Sequence, residues 1–203
     1  MAFGDVTDGV CIGSTATGAL AIQFAKLSGL EPIVTCSSHN FSYCEELGAA
    51  KCFDYKDEKC AENIKSYTKD GLKYVFDCIS EGASTQISVG AMSSSGGTYS
   101  TLLPVDASKV SSINDKVEMK STLGYTVVGE FFTFGGKEIP AKPEDFEFGK
   151  MFWEMAAGLL GSGKVKVHRP EVDQGGKGLE GALKGLQMLR EGKVSGKKLV
   201  YTM

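Results

Sequence analysis

The stretch that most constrains this chain is Gly13-Ser14-Thr15-Ala16-Thr17-Gly18, set between the apolar run Val10-Cys11-Ile12 and a helical pattern from Ala19 to Leu27. A strand that turns through small residues straight into a helix is the layout of a dinucleotide-binding loop. The demand is physical. A pyrophosphate must come close to the backbone and rest on the free N–H groups of a helix N-terminus, where the helix dipole favours negative charge. Against the pattern G-x-G-x-x-G, Gly13 and Gly18 keep the outer glycines, and Thr15 stands where the middle one belongs. A β-branched residue there holds the backbone further from a phosphate, whereas the hydroxyls of Ser14, Thr15 and Thr17 add donors. An ordinary strand-to-helix turn of small residues is the competing reading.

Beyond the polar opening Met1 to Asp8, strands and helices alternate along the chain. Leu20, Phe24 and Leu27 share one helical face, and Gly29 ends that helix. Strands are predicted at Pro32 to Cys36, Lys51 to Tyr55, Tyr74 to Ile79 and Thr98 to Leu102, with helices at Phe41 to Leu47, from Asp57 to Tyr67 and at Ala83 to Ala91. Strands that read as solid apolar runs, separated by helices, indicate an α/β fold: a Rossmann-type, doubly wound parallel sheet covered on both faces. Pro104 to Pro143 breaks the rhythm. It offers a strand-like segment at Ser121 to Val128, the aromatic run Phe131 to Phe134 and few helix signals. That run would suit an acyl channel, a dimer edge or a core. Helical stripes return at Phe148, Phe152, Met155 and Leu159, and at Leu179, Leu183, Leu186 and Leu189. Lys198 to Thr202 reads as a closing strand.

Composition narrows the function classes. A formal net charge of -3 argues against a general nucleic-acid binder. No apolar run is long enough to span a bilayer and no secretory signal is visible, so a cytoplasmic protein without a membrane partner is expected. The 6 cysteines include no C-x-x-C pair and have only His39 and His168 as companions, so they read as structural thiols and no metal site is expected.

In dinucleotide folds an acidic residue at the tip of the second strand accepts from the adenosine ribose and selects NAD. Here that tip is Cys36-Ser37-Ser38-His39-Asn40, with no carboxylate and four donor side chains. This points to NADP(H), with the 2′-phosphate on Ser37, Ser38, His39 and Asn40. A plain helix cap from Ser38 or Asn40 is compatible with the same residues.

Taken together, GSTATG after a strand, AIQFAKLSG, TCSSHNF, LGAAKCFDYKD, YVFDCIS and the terminal REGKVSGKKLV resemble the medium-chain dehydrogenase/reductase superfamily. The likeness is to its zinc-independent branch of fungal trans-acting enoyl reductases, which serve polyketide synthases. The resemblance implies Ser14, Thr15, Ala16 and Thr17 on the pyrophosphate and Tyr55 near the adenine. It also implies Thr101 and Leu102 toward the nicotinamide, and Val194 and Ser195 touching cofactor. A buried tyrosine and a plain Ser-Gly turn compete for Tyr55 and Ser195. Such enzymes begin with a GroES-like domain, and the resemblance implies that the sequence in hand corresponds to the part that follows it. The expected organisation is a NADP-binding domain at 1–163 and a segment at 164–203 that would return to the absent catalytic domain, with little here to pack against.

The activity implied by the resemblance is hydride transfer from NADPH to an α,β-unsaturated acyl thioester carried on a polyketide synthase, with a proton then reaching the α-carbon. No catalytic acid is assigned; Tyr99 and Tyr125 qualify by type alone, and His168 reads as a surface or interface residue. A catalytically silent or truncated NADP-binding or interaction module is the alternative, and homo-oligomerisation is left open.

Overall fold

The computed structural model describes residues 10–203, with the side chains of residues 10–12 outside the description. Met1 to Asp8 lie outside the described residues. The described chain divides into two compact units, one of residues 10–121 with Val167–Met203 and one of Thr122–Lys166. The expected boundary at 163/164 is therefore not where the units part.

The first unit is built on a six-stranded parallel sheet of β1 (Val10–Ile12), β2 (Ile33–Cys36), β3 (Lys51–Asp54), β4 (Tyr74–Asp77), β5 (Gly97–Thr101) and β6 (Val117–Ser121), in the order β3-β2-β1-β4-β5-β6. Helices α1 (Ala16–Leu27), α2 (Phe41–Glu46), α3 (Cys60–Tyr67), α4 (Ser84–Ala91) and α5 (Ala107–Ile113) connect them. The order reverses direction at β1, so the loops after β1 and β4 open the crevice where ligands of such sheets bind.

Two cores cover the two faces. Ile33 belongs with Ile64, Leu72, Val89, Met92, Tyr99 and Val110; its neighbour Val34 belongs with Ala19, Ile22, Tyr43, Cys44 and Cys52. Adjacent residues of β2 are thus buried on opposite sides, which is why the strand reads as an unbroken apolar run.

The buried face of α1 is Gly18, Ala19, Ile22 and Gln23, while Leu20 and Leu27 are exposed. The stretch after Pro104 is not irregular throughout: Asp106 accepts from Ser108 N–H to cap α5, and β6 adds a sixth parallel strand. Ser121 to Val128 contains only the end of β6 and then a 3-10 helix, Gly124–Val128.

The same unit closes with β9 (Pro170–Val172), α7 (Gly178–Arg190) and β10 (Lys198–Val200), the two strands pairing in parallel apart from the main sheet. This segment has contacts. Arg169 stacks 4.0 Å over the Tyr43 ring and pairs with Glu46 at 2.7 Å, and His168 Nδ1 lies 2.8 Å from the Tyr43 hydroxyl. The leucines of α7 are exposed, its buried residues being Gly181 and Gly185.

The second unit holds a hairpin of β7 (Phe132–Phe134) and β8 (Lys137–Ile139), and the long helix α6 (Pro143–Gly161). Its aromatics are not a core: Phe131, Phe134, Phe148 and Trp153 are all exposed. Among the described residues, no helix is long and apolar enough to cross a membrane.

Candidate functional site

Gly13 ends β1 and turns the chain into α1. A Cβ at this position would overlap Val34 Cγ1 and stand 3.0 Å from Cys44 Sγ and 3.1 Å from Ile22 Cδ1. The turn can lie this close to the core only without a side chain. Thr15 is the N-cap of α1, its hydroxyl oxygen accepting from Gly18 N–H at 3.0 Å. That bond consumes one of the donors at the helix start. The N–H groups of Thr15, Ala16 and Thr17 have no acceptor within the helix. Thr15 thereby takes a role the middle glycine of the common pattern could not fill.

Above this turn lies a cavity of about 440 Å³. Ser14, Thr15, Ser37, Tyr55 and Ser195 line it, so five of the expected cofactor residues converge from four separate stretches. A smaller hollow of about 220 Å³ beside it brings Ala16 and Val194 together with Ser14, Thr15, Ser195, Lys197 and Lys198. Lys197 is paired with Glu171, which leaves Lys198 as the cation of this hollow without a carboxylate partner among the described residues. A cation beside a helix N-terminus suits a phosphate.

The expected 2′-phosphate residues are held in a hydrogen-bonded cluster. Ser37 Oγ donates to the Tyr55 hydroxyl at 3.3 Å; His39 Nε2 and Asn40 Nδ2 each lie 2.9 Å from Ser195 Oγ. Gly196 has φ +64, and a Cβ there would stand 2.6 Å from Asn40 Oδ1, so the turn after Ser195 is fitted to this cluster. Neither Ser37 nor Asn40 makes a side-chain helix cap. The tip of β3 adds a carboxylate that the second-strand motif does not contain. Asp54 is held below the usual carboxylate range by the Lys56 N–H, and by the backbone and hydroxyl of Ser38.

Thr101 and Leu102 line neither hollow. Thr101 is fully buried and its hydroxyl donates to Leu103 O at 2.9 Å.

The wall contributed by the β4–α4 loop was not legible from the loop motif: Ile79, Glu81, Gly82, Ala83, Ser84, Ile87 and Ser88 also line the cavity. Asp77, fully buried at the end of β4, anchors this wall. Its Oδ1 accepts from Ile79 and Ser80 N–H, both at 2.8 Å, and its Oδ2 from the Tyr99 hydroxyl at 2.8 Å. Ser80 takes φ +58, a conformation costly for a side-chain-bearing residue and imposed here by these bonds. Burial pushes the Tyr99 hydroxyl well above its ordinary range, while Thr85 opposes this and Asp77 reinforces it. A fully buried, bonded tyrosine is an anchor rather than a proton donor to a substrate.

A nucleotide fits the cavity on this structure's own terms. The helix start has free donors, hydroxyls ring the opening, and Ser84 Oγ at the wall is shielded from solvent with no partner among the described residues.

Beneath the same turn three thiols meet. The Sγ atoms of Cys36, Cys44 and Cys52 all lie within 4.8 Å of one another, and Cys44 Sγ is 3.7 Å from Cys36 Sγ. Hydrogen bonds from Cys36 and then Cys44 hold the Cys52 thiol below its ordinary value, whereas the bond to Cys44, followed by Cys52 and burial, pushes Cys36 up.

Comparison with known proteins matches residues 16–134 to the family model described as zinc-binding dehydrogenase. The chain is 47% identical over 182 residues to a dual trans-enoyl reductase/FAD-dependent monooxygenase, tazHJ, of Aspergillus terreus, covering 89% of this chain and 25% of that protein. It is 36% identical to the enoyl reductase component lovC of a lovastatin nonaketide synthase, also of Aspergillus terreus, covering 94% of this chain and 52% of the relative. The chain therefore spans between a quarter and about half of these relatives' length. Among solved structures, JamJ enoyl reductase in its apo form superposes with a TM-score of 0.71 at 16% identity, covering 98% of this chain and 56% of that one. At that identity the likeness establishes the fold.

Proposed function

The chain belongs to the zinc-binding dehydrogenase family, and on that footing we propose that it is the nucleotide-binding part of an NADPH-dependent trans-acting enoyl reductase. Its substrate is an α,β-unsaturated acyl thioester carried on a polyketide synthase, in keeping with the names of the relatives. The observation that carries the reading is the cavity over the turn after β1, where Ser14 and Thr15 meet Ser37, Tyr55 and Ser195.

Bound NADPH would supply the hydride that reduces the β-carbon. The chain's own part is placement. The N–H groups of Thr15, Ala16 and Thr17 take the pyrophosphate, with Lys198 adding charge. Ser37, Ser38, His39 and Asn40 take the 2′-phosphate, and Tyr55 flanks the adenine. The Asp77–Tyr99 anchor holds the opposite wall, so a nucleotide bound there would meet a preformed surface. Among the described residues the group able to hold an ion is the buried trio of thiols, an all-cysteine set unlike the histidine-containing three-ligand sets of catalytic zinc.

Asp54, bonded to Ser38, favours a second reading in which NADH is preferred. Titration of the purified chain with NADPH and with NADH, followed by nicotinamide fluorescence, separates the two. Tighter NADPH binding that strengthens further in Asp54→Asn supports the first reading, and tighter NADH binding that weakens in the same variant supports the second. Binding of neither sinks both. Turnover of a crotonyl thioester then distinguishes a working reductase from a silent binding module.

A further inference from the structure

The trio of buried thiols has no part in the reading above, and its geometry is specific. Cys36 ends β2, Cys44 lies in α2 and Cys52 sits in β3, with relative exposures of 1%, 0% and 5%. Three sulfurs each about 2.3 Å from a central ion stand about 4 Å apart. The observed spacing, 3.7 Å for one pair and within 4.8 Å for all, needs only small side-chain movements to reach that arrangement.

We propose that Cys36, Cys44 and Cys52 form a three-sulfur binding site for a soft monovalent metal ion, copper(I), beneath the turn at Gly13. Thiolates select soft ions. Structural zinc is closed by four ligands, and among the described residues no fourth His, Cys, Asp or Glu joins these three. Copper(I) is satisfied by three sulfurs in a plane. An approach exists, because Cys36 also lines the 440 Å³ cavity that opens to solvent. Binding breaks S–H bonds and makes S–Cu bonds, with each proton leaving to solvent. Copper enters and stays as copper(I), so no electron is transferred. Because each thiol gives up its proton, affinity rises with pH.

The test uses the purified chain, kept anaerobic with a non-thiol reductant and titrated with copper(I) against a chromogenic copper(I) chelator. One equivalent should be withdrawn from the chelator, and X-ray absorption of that complex should show three sulfur neighbours. Cys44→Ala and Cys52→Ala should each weaken binding by at least about 100-fold, more than loss of an outer-shell partner costs. The double variant Cys60→Ala/Cys78→Ala, which leaves the trio intact, should bind as the parent does. Failure to compete with the chelator, a two-sulfur spectrum, or loss of binding in the Cys60/Cys78 variant overturns the proposal. So does a parallel zinc titration in which zinc displaces the copper. The parent spectrum and the Cys60/Cys78 variant decide the matter even if Cys44→Ala does not fold. No nucleotide is needed, so the outcome is independent of the nucleotide reading.

Discussion

Gly13→Ala tests how the turn is joined to the core. The added Cβ would overlap Val34 Cγ1, while Cys44 Sγ at 3.0 Å and Ile22 Cδ1 at 3.1 Å block the other directions. Carbon atoms rest about 3.5–4.0 Å apart, so Val34 or the turn must move by more than an ångström. Val34 and Ile22 are both fully buried, and neither can swing into solvent. Overpacking of this kind costs about 1–3 kcal/mol. At about 2–4 °C per kcal/mol for a chain of this size, the melting midpoint should fall by about 2–12 °C. Thermal unfolding by circular dichroism measures it, and Gly124→Ala, where nothing lies within 4 Å, is the control that should stay within about 0.5 kcal/mol. Val34→Ala removes the clashing methyl group. Combined with Gly13→Ala it should lose less than the sum of the two single losses, by at least about 0.5 kcal/mol. Additive losses, or an unchanged midpoint in Gly13→Ala, would refute the close approach on which the account of this turn depends.

Tyr99→Phe takes one donor from the buried Asp77 carboxylate and should cost about 1.5–3 kcal/mol, read as a lower urea midpoint with unchanged slope. Ser195→Ala removes the oxygen shared by His39 and Asn40; NADPH affinity should fall by about 3–10-fold while the melting midpoint barely moves. His168 is held below its ordinary 6.5, first by burial and then by the nearby Lys198 and Arg169 charges, with the Lys197 backbone opposing. A histidine with a depressed folded-state value binds its proton more readily when unfolded. The stability it permits is full above about 6.5 and is lost as pH falls below that value. His168→Gln should therefore flatten the decline of the melting midpoint between about pH 7.5 and 5, and an equally steep decline in the variant would contradict the assignment.

The alternation of strands and helices was legible because the strands inside the sheet carry apolar runs, most fully β2, which is buried on both faces. Ile33 and Val34 are both apolar since each meets a different core. The sixth strand was missed for the opposite reason. At the sheet edge, Val117 and Met119 are half-buried while Glu118 and Lys120 are exposed, so β6 alternates over only a few residues. The turn from β1 into α1 was visible in Gly13 to Gly18, as was the donor-rich tip at Ser37 to Asn40. Their meeting with Ser195 was not, because His39 and Ser195 are separated by 156 positions and only the return of the chain toward β10 brings them together. The thiol trio was hidden in the same way. Spacing rules find ligands that lie on one turn, whereas Cys36, Cys44 and Cys52 come from a strand end, a helix and a neighbouring strand.

Helix α7 shows where a period of 3.6 stops being informative. The stripe Leu179, Leu183, Leu186 and Leu189 correctly indicates a helix, yet those side chains are 73%, 66%, 51% and 52% exposed. Within its unit the helix is seated by its glycines. A Cβ at Gly181 would stand 3.1 Å from Tyr201 Cδ1, and one at Gly185 would overlap the Tyr201 hydroxyl. That hydroxyl donates to Gln174 O at 3.0 Å, which fixes the ring against the helix backbone. A flat ring laid on a helix selects for missing side chains, and glycine contributes nothing to an apolar stripe. Periodicity records which face of a helix is hydrophobic; close backbone contact decides which face this unit covers, and here the two faces differ.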